Sequence, residues 1–191
     1  MLSICIFCGS SAGKNASYKN AAVELGRLLA EKKLTLIYGG GNIGLMGAIA
    51  ESTINNGGRA IGVIPQFLVD KELVYKELTE IRIVESMHER KAAMADLADA
   101  FIAMPGGFGT LEETVEALTW AQLGLHGKPM GLLNIDGYYD SLNAFFNHMV
   151  KEGFLLQEYK DMLRIEENPA ALLESLAAYE LPLVDKWGNP N

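Results

Sequence analysis

Residues 100–123 read AFIAMPGGFGTLEETVEALTWAQL, and this stretch decides the fold. Its first five residues, Ala100–Met104, are all apolar, which is typical of a strand buried on both faces of a sheet. A glycine turn follows at residues 105–109, and Thr110–Leu123 then has the apolar spacing of an amphipathic helix. The stretch therefore predicts one strand–turn–helix unit of a parallel α/β sheet.

The same alternation of strand and helix continues in both directions along the chain. The predicted strands are Leu2–Cys8, Leu34–Tyr38, Arg59–Ile64, Ile81–Val84, Ala100–Met104, Met130–Asn134 and Met162–Ile165. The predicted helices are Ser17–Lys32, Gly44–Asn55, Met87–Ala98, Thr110–Leu123, Tyr139–Glu152 and Ala170–Tyr179, and residues 66–80 are expected to be a surface segment. This pattern predicts a doubly wound, Rossmann-like parallel sheet with helices on both faces. We expect one domain over residues 1–180 and a C-terminal tail over residues 181–191.

Composition restricts the partners. The chain has 191 residues and a formal net charge of -8, which disfavours binding to nucleic acid or to an anionic membrane. No stretch approaches the ~20 apolar residues of a membrane span. The apolar start at Leu2–Cys8 lacks the basic residues of a secretory signal. We therefore expect a cytoplasmic protein that binds a small molecule.

The only two cysteines, Cys5 and Cys8, have a C-x-x-C spacing that raises the possibility of a redox or zinc site. Redox pairs of this kind usually lie at a helix N-terminus, whereas these two lie in a predicted strand. There is no second cysteine pair, and the three histidines are scattered. We interpret both cysteines as buried structural thiols and expect no metal site.

Three predicted strands end in glycine-rich turns, at residues 9–13 (GSSAG), 39–44 (GGGNIG) and 105–110 (PGGFGT). In a parallel sheet these turns share the edge where ligands bind. Glycine allows close approach of backbone N–H groups, and a helix that follows offers unpaired N–H groups and a positive dipole end. One such turn could reflect tight geometry alone, but three together predict a phosphate site. The candidate contacts are Ser10, Gly40, Gly41, Gly106, Gly107 and Gly109.

The middle turn matches G-x-G-x-x-G at Gly39, Gly41 and Gly44, the fingerprint of a dinucleotide site. That fingerprint also requires an acidic residue at the end of the next strand, and residues 64–66 (IPQ) contain none. The motif also follows the second strand rather than the first. The third turn lacks the Gly-Lys-Ser/Thr ending of a triphosphate loop, so a monophosphate suits it better.

Thr110 and Glu113 have the T-x-x-E spacing of a capping box, which could explain both residues. However, Glu112, Glu113 and Glu116 would repel a phosphate bound at the preceding turn. Carboxylates are useful there if positive charge develops during the reaction, as it does when a ribosyl C–N bond breaks through an oxocarbenium-like state. Glu113 is the candidate for this carboxylate, and both interpretations stay open.

The preceding helix places Met87, Arg90, Lys91, Met94 and Ala98 on one face. Two cations therefore share a stripe with two methionines. The side chains of Arg90 and Lys91 could both reach past the edge of the core to solvent. Alternatively, Arg90 lines the pocket, where it could bind phosphate or polarise the departing base.

Together these motifs resemble the Lonely guy family of cytokinin riboside 5′-monophosphate phosphoribohydrolases. The family motif P-G-G-x-G-T-x-x-E matches residues 105–113, and its arginine–lysine pair matches residues 87–91. Further similar stretches are residues 39–47, 119–124 and 131–139. The resemblance extends from about Ser3 to Tyr179.

This resemblance implies a Rossmann-like fold, at least a homodimer, and no metal or redox cofactor. It implies that Arg90 and Glu113 are the catalytic pair. The substrate contacts that it implies are Met87, Lys91, Gly107, Phe108, Gly109, Thr110, Leu111, Glu112 and Thr119. A weaker match, P-x-x-L-x-x-x-E at residues 65–72, adds Glu72.

The hypothesis is hydrolysis of the N-glycosidic bond of AMP or an N6-substituted AMP, which releases free base and ribose 5-phosphate. The main alternative is a non-catalytic carrier or sensor of a phosphorylated ligand, such as molybdenum cofactor. A third is an NAD-dependent oxidoreductase. Relatives of this family have been labelled lysine decarboxylases, but no lysine follows the glycine turns in a place suited to a pyridoxal phosphate Schiff base.

Overall fold

The computed structural model describes residues 1–70 and 74–181. Its strands form a single parallel sheet in the order β4-β3-β2-β1-β5-β6-β7. The strands are β1 (Ser3–Phe7), β2 (Thr35–Tyr38), β3 (Ala60–Pro65), β4 (Glu80–Val84), β5 (Ala100–Ala103), β6 (Met130–Leu133) and β7 (Leu163–Glu166). The predicted doubly wound, Rossmann-like sheet is confirmed.

Helices follow most strands and cover both faces of the sheet. They are α1 (Ala16–Glu31), α2 (Gly44–Asn55), α3 (Gln66–Val69), α4 (Met87–Leu97), α5 (Phe108–Gln122), α6 (Asp140–Lys151), α7 (Gln157–Asp161) and α8 (Pro169–Ala177), with a 3₁₀ turn at Ile135–Gly137. The sequence did not predict α3 or α7, because helices of four and five residues are too short to show an apolar period. The described residues of the segment 66–80 are all exposed or half-buried, as expected of a surface segment, although they include α3 and the first residue of β4.

The sheet separates two apolar cores. Along β1, Ile4 and Ile6 face the core beneath α1, α2 and α8, whereas Cys5 and Phe7 face the core beneath α4, α5 and α6. Cys8 returns to the first side, and both cysteines are buried free thiols, as predicted. No group of three or more potential metal ligands was found among the residues that the structure describes.

The order of the strands places the ends of β1 and β5 side by side. The chain leaves β1 towards β2 on one side, and it returns to form β5 on the other. At this switch point the Gly9 N–H donates a hydrogen bond of 3.1 Å to the Pro105 carbonyl, which joins the first and third glycine turns. Ligands of doubly wound folds bind at this position.

Within residues 1–70 and 74–181, no helix is long and apolar enough to cross a bilayer.

Candidate active site

A cleft of about 310 Å³ opens at the carboxyl ends of β1, β2 and β5. Seven of its lining residues were predicted as site residues: Ser10, Arg90, Gly107, Phe108, Gly109, Thr110 and Glu113. The other seven were not: Ile6, Phe7, Cys8, Gly9, Gly39, Met46 and Met94. The cleft thus combines a polar half from α4 and α5 with an apolar wall from β1 and the methionines.

The N-terminus of α5 lies at this cleft. Gly107 is the N-cap residue, and no side chain from the described part of the chain caps the helix. The Leu111 N–H donates an intrahelical hydrogen bond of 3.1 Å to the Gly107 carbonyl. The N–H groups of Phe108, Gly109 and Thr110 precede it and have no intrahelical acceptor. Unpaired donors at the positive end of a helix dipole are suited to a phosphate group.

The capping-box interpretation of Thr110 and Glu113 is wrong. Helix α5 begins at Phe108, two residues before the predicted start, so Thr110 is the third helical residue and not the cap. Its side chain is buried, and Glu113 lies in the second turn with its carboxylate directed towards Arg90. The position of Glu113 therefore needs another explanation than helix capping.

The second glycine turn does not offer a comparable site. The N–H groups of Leu45 and Met46, at the start of α2, both donate to the Gly9 carbonyl, at 3.0 and 3.4 Å. Gly44 has a φ of +61°, and a Cβ there would overlap the backbone of Ser10. This helix end is thus filled by the first turn, and it is not open to the pyrophosphate of a dinucleotide.

Arg90 is buried in the cleft, with only 9% of its surface exposed. Its Nε donates to the Val63 carbonyl at 3.1 Å, and its Nη1 lies 3.9 Å from the Met87 sulfur. The same Nη1 lies 3.7 Å from Glu113 Oε1. The guanidinium therefore does not reach past the core to solvent, and it forms an ion pair inside the cleft.

Burial is the main influence on Glu113, and it raises the pKa of this carboxyl above its ordinary value. The Arg90 guanidinium opposes this and lowers the pKa, whereas the neighbouring Glu112 charge raises it. Glu113 thus keeps its proton to a higher pH than an exposed glutamate does. A carboxyl with a raised pKa inside a cleft is suited to exchanging protons during a reaction.

Lys91 follows Arg90 directly, but its ammonium binds other carboxylates of α5. Its Nζ lies 2.5 Å from Glu112 Oε1 and 3.0 Å from Glu116 Oε2. The hydrogen bond to Glu112 raises the pKa of the lysine. The pair ties α4 to α5 beside the cleft, so the two cations predicted on one stripe have separate partners.

Cys8 contributes a thiol to the apolar wall of the cleft. Burial raises its pKa well above the ordinary value, and the charge of Glu113 raises it further. The thiol therefore stays protonated at neutral pH and packs as a small apolar group.

Several predicted contacts lie outside the lining of this cleft. Gly40 accepts a hydrogen bond from Tyr75, and Gly41 bridges to Val74, so both support the neighbouring segment. Gly106 and Leu111 line an adjacent cavity of about 380 Å³. Thr119 lines a separate cavity of about 100 Å³ between α5 and α6. Glu72 lies outside the described residues.

Two tyrosines hold the loop between β5 and α5, and sequence reasoning assigned neither of them a role. The Tyr138 hydroxyl donates 2.5 Å to the Gly106 carbonyl, and the Tyr139 hydroxyl donates 2.6 Å to the Met104 carbonyl. Both lie in residues 131–139, a stretch that resembles the family as a whole and does not single out either tyrosine. Their pairing with β5 depends on the adjacency of β5 and β6, which one sequence does not reveal.

The variant Tyr139→Phe is expected to lower the free energy of unfolding by about 1 kcal/mol, because it leaves the Met104 carbonyl without its donor. Tyr159→Phe is the matched control. Tyr159 is equally buried, but its hydroxyl has no hydrogen-bond partner within residues 1–70 and 74–181. Urea unfolding of both variants measures the difference. Equal losses would show that the hydroxyl of Tyr139 does not stabilise the loop.

Comparison with known proteins gives one family. The model of the family described as "Possible lysine decarboxylase" matches residues 46–176. A probable cytokinin riboside 5′-monophosphate phosphoribohydrolase of Oryza sativa subsp. japonica is 52% identical over 176 residues, 92% of this chain and 78% of that protein. A cytokinin riboside 5′-monophosphate phosphoribohydrolase of Arabidopsis thaliana is 49% identical over 177 residues, 93% of this chain and 82% of its own length.

Solved structures show the same fold at much lower identity. The molybdenum cofactor binding protein of Rippkaea orientalis has a TM-score of 0.72 at 23% identity, over 93% of this chain and 96% of that one. The molybdenum cofactor carrier protein of Chlamydomonas reinhardtii has a TM-score of 0.69 at 20% identity, over 93% of this chain and 99% of that one. These structural similarities, at less than 25% identity, establish only the fold. The family is established by the relatives that are about half identical in sequence. The chain belongs to the Lonely guy family of cytokinin riboside 5′-monophosphate phosphoribohydrolases.

Proposed function

We propose that this protein hydrolyses the N-glycosidic bond of AMP or an N6-substituted AMP and releases the free base and ribose 5-phosphate. The observation that carries the proposal is the buried Arg90–Glu113 pair, which shares one cleft with the uncapped start of α5. Relatives that are about half identical over more than nine-tenths of the chain are named for this reaction. On this proposal the start of α5 binds the phosphate, and the Arg90–Glu113 pair carries out the chemistry.

The phosphate is assigned to the first turn of α5. The N–H groups of Phe108, Gly109 and Thr110 supply donors there, and the helix dipole supplies positive potential. Ser10, from the first glycine turn, lines the same cleft. Binding at this end leaves the ribose and base to extend towards Arg90, Met46 and Met94.

The bond that breaks joins C1′ of the ribose to a nitrogen of the base, and its electron pair leaves with the base. Water forms the new bond to C1′. The Glu113 carboxylate stabilises the positive charge that develops on the ribose and accepts a proton from the water. The departing base takes up one proton and Glu113 gives up the one that it accepted, so the carboxylate is restored and one water is consumed for each nucleotide. Arg90 places a positive charge beside the leaving base, where negative charge develops.

A non-catalytic carrier is the less supported alternative. The resemblance to molybdenum cofactor carriers is below 25% identity and concerns the fold. A carrier has no use for Glu113, a largely buried carboxylate that repels a phosphorylated ligand. The NAD alternative is weaker still, because the start of α2 is filled by the Gly9 carbonyl.

The family description as a possible lysine decarboxylase does not fit the chemistry of this cleft. Among the residues that the structure describes, no lysine lines it. Lys91 lies nearest in sequence to the pair, and its ammonium binds Glu112 and Glu116 instead. A Schiff base to pyridoxal phosphate requires a lysine whose amine reaches the cofactor.

The test is a product assay with purified protein, AMP and isopentenyl-AMP. Chromatography is expected to show free base and ribose 5-phosphate in equal amounts, and the ratio of the two rates defines the preferred base. Intact nucleotide that nevertheless binds in calorimetry would indicate the carrier. Intact nucleotide without binding would contradict the assignment of the phosphate to α5.

We also propose that the protein is a homodimer that acts in the cytoplasm. Helices α5 and α6 and the segment after α6 carry exposed apolar side chains: Leu111, Val115, Phe145, Phe154 and Leu156. Exposed large apolar side chains are common at protein interfaces, and the family resemblance supports a second copy as the occupant. Thr119 lies one turn from Val115, on the same helix, and its hydroxyl donates 2.7 Å to the Val115 carbonyl. The cytoplasmic location stays a prediction from composition.

The variant Val115→Lys is expected to convert the dimer into a monomer, because a charge in an apolar interface must lose its water. Val23→Lys is the control, since Val23 is 43% exposed against 42% for Val115 and lies on α1, over the opposite face of the sheet. Sedimentation velocity at several concentrations measures both. A dimer that survives Val115→Lys would place the interface elsewhere.

A further inference from the structure

The first glycine of the G-x-G-x-x-G turn touches the catalytic arginine. Gly39 directly follows β2 and lines the cleft. A Cβ built on Gly39 would overlap Arg90 Nη2 and lie 2.9 Å from Arg90 Cζ. Its next neighbour would be the Met46 sulfur, at 3.4 Å, which is an ordinary contact. The space that a side chain would fill at residue 39 is therefore occupied by the guanidinium.

This contact completes the set that fixes the guanidinium. Its Nε is held by the Val63 carbonyl at 3.1 Å. Its Nη2 lies over the bare Cα of Gly39, which leaves Nη1 as the nitrogen directed to Glu113 at 3.7 Å. Each of the three nitrogens of the guanidinium has a different neighbour. Val63 belongs to β3 and Gly39 directly follows β2, so these two strands, and not α4 alone, set the orientation of the guanidinium.

We propose that Gly39 is a positioning residue for catalysis, because its missing side chain leaves the space in which Arg90 is held facing Glu113. The inference rests on the proposed function for its effect on turnover. It gives the motif glycine a role different from the dinucleotide binding that G-x-G-x-x-G indicates in other proteins. Gly39 acts through Arg90 and need not touch the substrate.

The variant Gly39→Ala tests this without disrupting the fold. The backbone at Gly39 is not in the left-handed region, and the added methyl meets the movable end of an arginine rather than backbone. The guanidinium must therefore shift by an amount comparable to the overlap. Misplacement of a catalytic group by about 1 Å costs roughly 10²-fold in rate, so kcat is expected to fall by about that factor while KM changes little.

A double-mutant cycle with Arg90→Met separates positioning from a structural role. If Gly39 acts through Arg90, then Gly39→Ala costs about 10²-fold in wild type and less than about twofold in the Arg90→Met background, since contacting residues are not additive. Equal losses in both backgrounds would overturn the proposal. Gly127→Ala is the matched control. Its Cβ would also meet the end of a flexible side chain, Leu181, but at the opposite edge of the sheet, before β6.

A second measurement does not depend on turnover. Arg90 lowers the pKa of Glu113, so a displaced guanidinium lets that pKa rise. Carbon-13 NMR titration of the glutamate carboxyl groups, with the Glu113 signal assigned by its loss in Glu113→Gln, should show a higher Glu113 pKa in Gly39→Ala and no change in Gly127→Ala. An unchanged Glu113 titration would contradict the proposal even if AMP proved not to be the substrate. A protein that shows the shift but cleaves no nucleotide would retain the positioning role and refute the proposed function.

Discussion

The Glu113→Gln variant is expected to bind AMP with nearly wild-type affinity and to lose about 10²–10⁴-fold in kcat, the range for removal of a general acid or base. The amide has the size of the carboxyl, so the packing in the second turn of α5 is kept. It carries no negative charge, so it neither stabilises an oxocarbenium-like ribose nor accepts a proton from water. Single-turnover base release and calorimetric titration with AMP separate the two effects.

Glu116→Gln is the control for this experiment. Glu116 is on the same helix, three residues after Glu113, but its carboxylate binds Lys91 and does not line the cleft. Its amide variant should stay folded, because a partly exposed ion pair contributes roughly 1 kcal/mol or less to stability. It should also retain turnover within about threefold, because Glu116 does not line the cleft. Retained turnover in Glu113→Gln would remove Glu113 from the mechanism. A joint loss of binding and folding would show that its role is structural.

The fold could be predicted because its signals are local. The five inner strands, β3, β2, β1, β5 and β6, are mostly apolar runs of four to six residues, whereas the edge strands β4 (EIRIV) and β7 (LRIE) alternate with charged residues. Helices such as α1 and α6 show an apolar period, so strand and helix can be told apart within a short window. Three consecutive β–turn–α units then restrict the topology to a parallel sheet. The short helices α3 and α7 were not predicted, because four or five residues are too few to form an apolar stripe.

The site was predicted less completely, because its geometry depends on contacts between distant segments. Arg90 and Lys91 are neighbours in sequence, yet one enters the cleft and the other binds Glu112 and Glu116, since successive helical residues point about 100° apart. The start of α2 has the sequence of a phosphate site, but the Gly9 carbonyl fills it. No local sequence pattern indicates that the Gly9 carbonyl, 36 residues before Leu45, accepts the hydrogen bonds of this helix start. Nor does a local pattern indicate that the Arg90 guanidinium lies against Gly39.

The Arg90→Met variant is expected to lose about 10²–10³-fold in kcat/KM, the cost of removing one preorganised charge or donor from a transition state. Methionine fills a similar volume and carries no charge. It leaves the Val63 carbonyl without its donor, which costs about 1–3 kcal/mol of folding free energy, so circular dichroism must confirm that the variant is folded.

The pH profile of Arg90→Met distinguishes an electrostatic role from a packing role. Reaction requires the Glu113 carboxylate, so the rate rises as the pH rises through the pKa of Glu113. Because Arg90 lowers that pKa, its removal raises it, and the acidic limb of the profile should move to higher pH. Arg90→Lys keeps the positive charge, so its acidic limb should stay closer to that of wild type although its kcat falls. An acidic limb at the same pH in wild type and Arg90→Met would show that the two side chains do not interact in the working enzyme. The carboxylate would then have to act without the guanidinium.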